Sequence, residues 1–158
     1  MIAKIDVVYF NGEAVSCQAE HVPFRKNGAV LELTRNLLTD VVFRFCNIDG
    51  MPLTVIAPED FGKAQVLLSC RDRVLAATEE NIILAEDEAG FQTLTIKNLN
   101  VDSAEIRQVL ADSYLEVEPA RHGKVKCEFS VAIYSGSCEH AMQLFFTMET
   151  LVKDTPEV

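Results

Sequence analysis

The chain has 158 residues, of which 14 are basic and 24 acidic, for a net charge of −10, and 49% are apolar. That apolar share is enough for a packed core and argues against disorder. The charge excludes the basic stripe that nucleic-acid binders use and disfavours anionic membrane surfaces.

No uncharged stretch approaches the ~20 apolar residues of a membrane helix. Residues Met1–Phe10 alternate like a strand, where a leader would be basic and then apolar. The five cysteines, Cys17, Cys46, Cys70, Cys127 and Cys138, are odd in number and contain no C-x-x-C. Reduced thiols in a protein made in the cytoplasm are therefore expected, as is a single domain spanning 1–158.

In chain order, the first strong pattern is period 2. Lys4–Phe10 sets Ile5, Val7 and Tyr9 on one face. Asn11-Gly12 follows, a pair that tolerates positive φ at both positions and favours a tight hairpin. Val15, Cys17 and Ala19 then face inward on the return strand. Beyond Pro23 and Asn27-Gly28, Ala29–Thr34 places Leu31 and Leu33 on either side of Glu32. Val41–Asn47 points Val41, Phe43 and Phe45 inward, and Asp49-Gly50 makes the next turn. Met51–Ile56 is expected to pair back, with Pro52 marking an edge or a strand start. Pro58-Glu59-Asp60 reads as a loop or a helix start. Ala64–Cys70 and Val74–Thr78 are strands around a polar turn. Asn81–Ala85 and Phe91–Lys97 are strands around the acidic turn at Glu86-Asp87-Glu88.

The period then changes. Ile106, Val109 and Leu110 fall at helical spacing, and Asp102 with Glu105 forms a predicted capping box. Tyr114–Glu118 returns to an extended pattern. Lys124–Tyr134 alternates most cleanly of all, with Val125, Cys127, Phe129, Val131 and Ile133 inward; Lys124 and Lys126 read as a solvated strand edge. Two readings stay open for residues 137–153. Leu144, Phe146 and Met148 alternate as a strand would. Ala141, Leu144, Phe145, Met148 and Leu151 follow a helical stripe, with Ser137 as cap and Glu139 and Lys153 suited to the helix dipole. The spacing favours the helix.

Strands separated by turn signals, with too few helices for parallel crossovers, predict a mainly antiparallel β-sandwich. It would hold one short helix, with a further helix or arm at 135–158.

Chemical motifs are sparse. The glycines have neither Walker nor G-x-G-x-x-G spacing, and no G-x-S-x-G or S-x-x-K occurs. His21, His122 and His140 form no ligand set. Cys138 and His140 are i, i+2, which on a helix do not face each other. Glu86-Asp87-Glu88 lacks the calcium-loop pattern and reads as a solvated tip. No catalytic residue, cofactor or metal site is predicted. A cleft around one of the histidines with a neighbouring carboxylate would change that reading.

Residues 39–134 resemble the immunoglobulin-like sandwich of bacteriophage tail, baseplate and fibre proteins. The likeness lies in the order of features. Val41-Val42-Phe43-Arg44-Phe45 runs into Asp49-Gly50 and Met51-Pro52-Leu53-Thr54. Ala64–Cys70, Phe91–Lys97 and the helical segment Asp102–Asp112 follow. Ser113-Tyr114-Leu115-Glu116-Val117, a turn at His122-Gly123-Lys124 and the strand from Cys127 to Val131 complete it. The resemblance implies a non-enzymatic structural or assembly module of a phage tail or baseplate. Its partners would be copies of itself or other virion proteins, contacted through Leu144, Phe145, Met148 and Leu151. The alternative is a cytosolic protein-binding module, such as an acidic secretion chaperone or adaptor.

Overall fold

The computed structural model describes residues 2–19, 31–70, 73–116, 124–136 and 142–154. Ten strands form two five-stranded sheets. The strands are β1 (Ile2–Phe10), β2 (Glu13–Ala19), β3 (Leu31–Thr34), β4 (Thr39–Asn47), β5 (Phe61–Cys70), β6 (Arg73–Thr78), β7 (Ile82–Glu86), β8 (Gln92–Leu99), β9 (Lys124–Ser135) and β10 (Met142–Lys153). A turn of 3-10 helix covers Pro58–Asp60, and α1 covers Ala104–Glu116. The first sheet runs β2-β1-β4-β8-β7 and the second β3-β10-β9-β5-β6. The protein is a mainly β sandwich. Its pairing is antiparallel except at two seams, where β1 lies parallel to β4 and β3 parallel to β10.

Alternation explains how the sheets close. Ile5, Val7 and Tyr9 on β1, Val41, Phe43 and Phe45 on β4, and Leu94 and Ile96 on β8 are buried from one side. Val66 and Leu68 on β5, Phe129, Val131 and Ile133 on β9, and Leu144, Phe146 and Met148 on β10 meet them from the other. An aromatic cluster joins the sheets. The Phe146 ring lies 5.0 Å from Phe43 and 6.1 Å from Phe45, both edge-on, and Phe43 lies 5.9 Å from Phe129. Each buried phenyl contributes on the order of 1.5–3 kcal/mol.

The largest correction concerns the chain's last segment. Met142–Lys153 is not a helix or an arm but an interior strand, paired with β9 on one side and β3 on the other. The helical stripe misleads because an i, i+4 pair such as Leu144 and Met148 satisfies both periods. Phe146, on the far side of any such helix, decides in favour of the strand: it is 3% exposed, while Phe145 is 54% exposed. Ser137, Glu139 and Ala141 lie outside the described residues.

Smaller differences have local causes. The Asn11-Gly12 turn forms with both residues at positive φ. A bulge then shifts the register between Val8 and Tyr9, so Ala14 pairs with Tyr9 and Val15 is left exposed. Met51–Ile56 does not form a strand; Pro52 makes one bridge to Cys46, and its missing N–H limits further pairing. The helix cap is Ser103 rather than Asp102. Its hydroxyl accepts from the Ile106 N–H at 3.1 Å and donates to the Leu75 carbonyl at 2.7 Å. Asp102 instead accepts from Arg35 and Arg107. Tyr114 to Glu116 are helical rather than extended. No Gly or Pro interrupts the chain between Asp112 and Glu116, so the helix continues through Tyr114. The strand carrying Lys124 and Lys126 is interior to its sheet rather than an edge.

One close approach fixes the start of β5. A Cβ at Gly62 would lie 2.7 Å from the Gly136 nitrogen and from the Ser135 carbonyl. The Gly136 N–H donates to the Asp60 carbonyl at 2.9 Å, and the Ser135 hydroxyl is 2.8 Å from the Asp60 carboxylate.

Candidate functional site

The four residues predicted to meet a partner separate in space. Leu144 and Met148 point into the sandwich core at 6% exposure each. Leu151 lies on the opposite face of β10 and is also buried. Phe145 alone is open, on the outer face of the second sheet, across from Ala132 of β9. His21, His122, His140 and Cys138 lie outside the described residues.

Several charged side chains of the described residues hold strands together. Arg44 forks onto Asp6 across the parallel β1–β4 seam at 2.9 and 3.2 Å, and its guanidinium sits 4.2 Å from the centre of the Phe91 ring. Arg35 follows β3, and its backbone N–H donates to the Lys153 carbonyl. Its side chain meets Asp154 at 2.9 Å and Asp102 at 3.5 Å, which ties the end of β10 to the start of α1. With its amide oriented to satisfy the same network, Asn36 donates to Asp102 at 2.9 Å. The hydrogen bond that Arg35 donates to Asp154 raises the Arg35 pKa further above its ordinary value. Asp40 accepts the Asn98 backbone N–H at 2.8 Å, which holds its carboxyl below the usual range, with Lys97 adding to the effect. These are staples between strands, and they do not converge on a shared cavity.

Burial favours the protonated thiol at Cys17, Cys46 and Cys127. Burial pushes Cys127 up to about 12, with Cys70 beside it adding to the shift, and pushes Cys17 up to about 11. Burial also raises Cys46. A buried thiol of this kind packs as an apolar side chain rather than reacting as a thiolate. Among the described residues no group of three or more His, Cys, Asp or Glu side chains is placed to hold a metal ion. No helix of the described residues is long and apolar enough to cross a membrane.

Two surface features remain. One is a cavity of about 220 Å³ between the sheets where β6 crosses to β7. Val66, Leu68, Ile96, Val101 and Phe129 form its buried floor, and Asn81, Lys97, Asn98 and Asn100 its exposed rim. The other is the end of the sandwich that carries the β1–β2 turn, the 48–51 turn and the start of β10. Phe10, Ile48, Met51 and Met142 are each about half exposed there or more, although Ile2 and Leu38 are exposed at the opposite end. The same end carries Glu13, Asp49, Glu59, Asp60, Glu86, Asp87 and Glu88. The bordering cations Arg44 and Lys63 pair with Asp6 and Glu79. In the sequence, three acidic segments of this surface, at Asp49-Gly50, Pro58-Glu59-Asp60 and 86–88, read as separate turns or loops. Its other members come from turns far apart in the chain.

The molecule is thus a two-sheet β-sandwich whose open features are surface features. No family model matches the chain, and no curated protein matches it. Among solved structures it is similar to the N-terminal domain of phage TP901-1 ORF48, at 13% identity, over 98% of each chain, with a TM-score of 0.44. An overlay at that level defines neither a common fold nor a common role.

Proposed function

We propose that this chain is a non-enzymatic structural or assembly module of a phage or prophage tail or baseplate, built as an immunoglobulin-like sandwich. The observation that carries the reading is the apolar and acidic end of the sandwich. Phe10, Ile48, Met51 and Met142 stand open beside seven carboxylates, while the buried polar groups serve the fold. Exposed apolar side chains rimmed by charge suit burial against another protein surface. The carboxylates select a partner surface that is apolar and basic. The narrower phage class is supported by the order of β4, the Asp49-Gly50 turn, β5, β8, α1 and β9 between residues 39 and 134, while the Met51–Thr54 and Ser113–Glu116 segments of the resemblance are not strands.

The test is mass spectrometry of phage particles purified from the source organism. The chain is expected in the particles in several copies. Its absence from particles, with a free cytosolic pool bound to one unrelated polypeptide, would overturn the reading in favour of an adaptor. Deleting residues 137–158 is not an informative variant, because it removes an interior strand; Phe10→Ser with Ile48→Ser tests the surface directly. Loss of assembly with an unchanged melting temperature is the expected result, and undiminished assembly would overturn the assignment of this end as the contact.

A further inference from the structure

Among the described residues the sandwich has four edge strands, and three of them are blunted. β2 is bulged at Val15, β3 has four residues, and β6 has a register shift and a carbonyl at Leu75 occupied by the Ser103 hydroxyl. β7 is different. Ile82–Glu86 runs in unbroken register with β8 and contains no Lys, Pro or Gly. Edges lacking such guards are templates for another strand.

The ladder shows which groups are open. The Lys97 N–H donates to the Asn81 carbonyl at 2.8 Å and the Asp87 N–H to the Phe91 carbonyl at 2.9 Å. Antiparallel alternation between these pairs turns Ile83 and Ala85 toward β8. The N–H and C=O of Ile82, Leu84 and Glu86 then point outward, with no partner strand among the described residues. Ile82 and Leu84 also pack on the core while staying partly exposed. The cavity of about 220 Å³ begins at Asn81, the residue before this strand. It exceeds the ~150 Å³ that accommodates a benzene ring.

We infer that β7 is a strand-addition edge. An extended segment of a different protein, with Lys or Arg at both ends and alternating apolar side chains, pairs along Ile82–Glu86 and sets one apolar side chain into the cavity beside Asn81. Charge selects this occupant. Glu79 and Glu80 precede the strand, and Glu86, Asp87 and Glu88 close it. Of the nearby cations, Lys63 pairs with Glu79 at 3.7 Å and Lys97 with Asp40 at 3.6 Å. A second copy pairing β7 with β7 antiparallel would set Glu79-Glu80 against Glu86–Glu88, which like-charge repulsion disfavours. Main-chain bonds supply affinity in this mode, and alternate side-chain pockets supply specificity.

The inference rests on the chain being a protein-binding module, and its test is separate from the particle experiment. The probe is a synthetic peptide of alternating valine and threonine with a central phenylalanine and two lysines at each end. Full-length protein is titrated with it while amide hydrogen exchange is followed. The Ile82, Leu84 and Glu86 amides are expected to slow by roughly tenfold or more at saturation. The same peptide with glutamates at its ends is expected to bind at least about tenfold more weakly. Glu86→Pro removes an outward N–H without touching the β8 ladder, and is expected to weaken binding while the melting temperature holds. Absence of binding, binding that leaves those amides unchanged, or equal affinity for the acidic peptide would overturn the inference. So would a β7-mediated homodimer abolished by Glu86→Pro. Any of these would leave the presence or absence of the chain in phage particles to decide the proposed function by itself.

Discussion

Thr150 lies toward the C-terminal end of β10, between Cys127 of β9 and Leu31 of β3, and is 0% exposed. Its hydroxyl oxygen has no hydrogen-bond partner among the described residues. A buried hydroxyl left in this state costs ~1–3 kcal/mol relative to water. Thr150→Val keeps the shape and the β-branch, so strand preference hardly changes and no cavity is made. It exchanges the hydroxyl for a methyl that the core can hold. The expected gain is about 1–2 kcal/mol, or roughly 2–8 °C in melting temperature for a chain of this length. Urea unfolding should show a higher midpoint with an unchanged slope. Thr147→Val, exposed on the outer face of the same strand, is the control and should stay within about 0.5 kcal/mol of the parent. A Thr150→Val protein destabilised by about 1 kcal/mol or more would refute the reasoning, because the hydroxyl would then have to be bonded in the native state.

The strand assignment of the last segment gives a paired prediction: Phe146→Ala should cost about 3–5 kcal/mol and Phe145→Ala less than about 0.5 kcal/mol, measured by denaturant unfolding, whereas a helix would reverse the order. Gly62→Ala should cost about 1–3 kcal/mol by calorimetry, because its Cβ would meet the backbone of Ser135 and Gly136 rather than a movable side chain. Alkaline stability follows from the thiols. Cys127 and Cys17 ionise near 9.0 when unfolded but at about 12 and about 11 when folded, so the unfolded chain loses protons first and stability falls as pH rises above about 9. Replacing both with alanine should flatten that slope in unfolding curves taken between pH 8 and 11.

The architecture was largely legible because alternation is a strong signal where one face is buried. Tyr9, Phe43, Phe129 and Ile133 all point as their parity requires. What parity misses is any event that changes it midway. The bulge beside Val8 adds one residue to β2, which turns Val15 outward and brings Ala14 to the core side. Ser103 was missed as the cap because Asp102 fits the same pattern one residue earlier. The choice between them is made by Leu75, whose carbonyl receives the Ser103 hydroxyl from a distant part of the chain. Strand order was also hidden. Nothing local in Ile2–Phe10 says that its second neighbour is β4 and that the pairing is parallel.

The interaction surface was less legible, for a physical reason that the last strand makes plain. An apolar residue in a sequence announces that it avoids water, but it does not say whether its shelter is its own core or another molecule. Leu144, Phe145, Met148 and Leu151 share one composition and one stretch of chain, yet three are sheltered within the fold and one is open. For Leu144 and Met148 the difference arises only when β3 and β9 flank the strand and the opposite sheet covers its inner face. The same logic applies in reverse to β7. Ile82 and Leu84 look like ordinary inward residues, and they become unusual because the sheet ends there and leaves them half covered. Surfaces of this kind are properties of where a sheet stops, and a sequence encodes that boundary only through the guards that other edges carry and this one lacks.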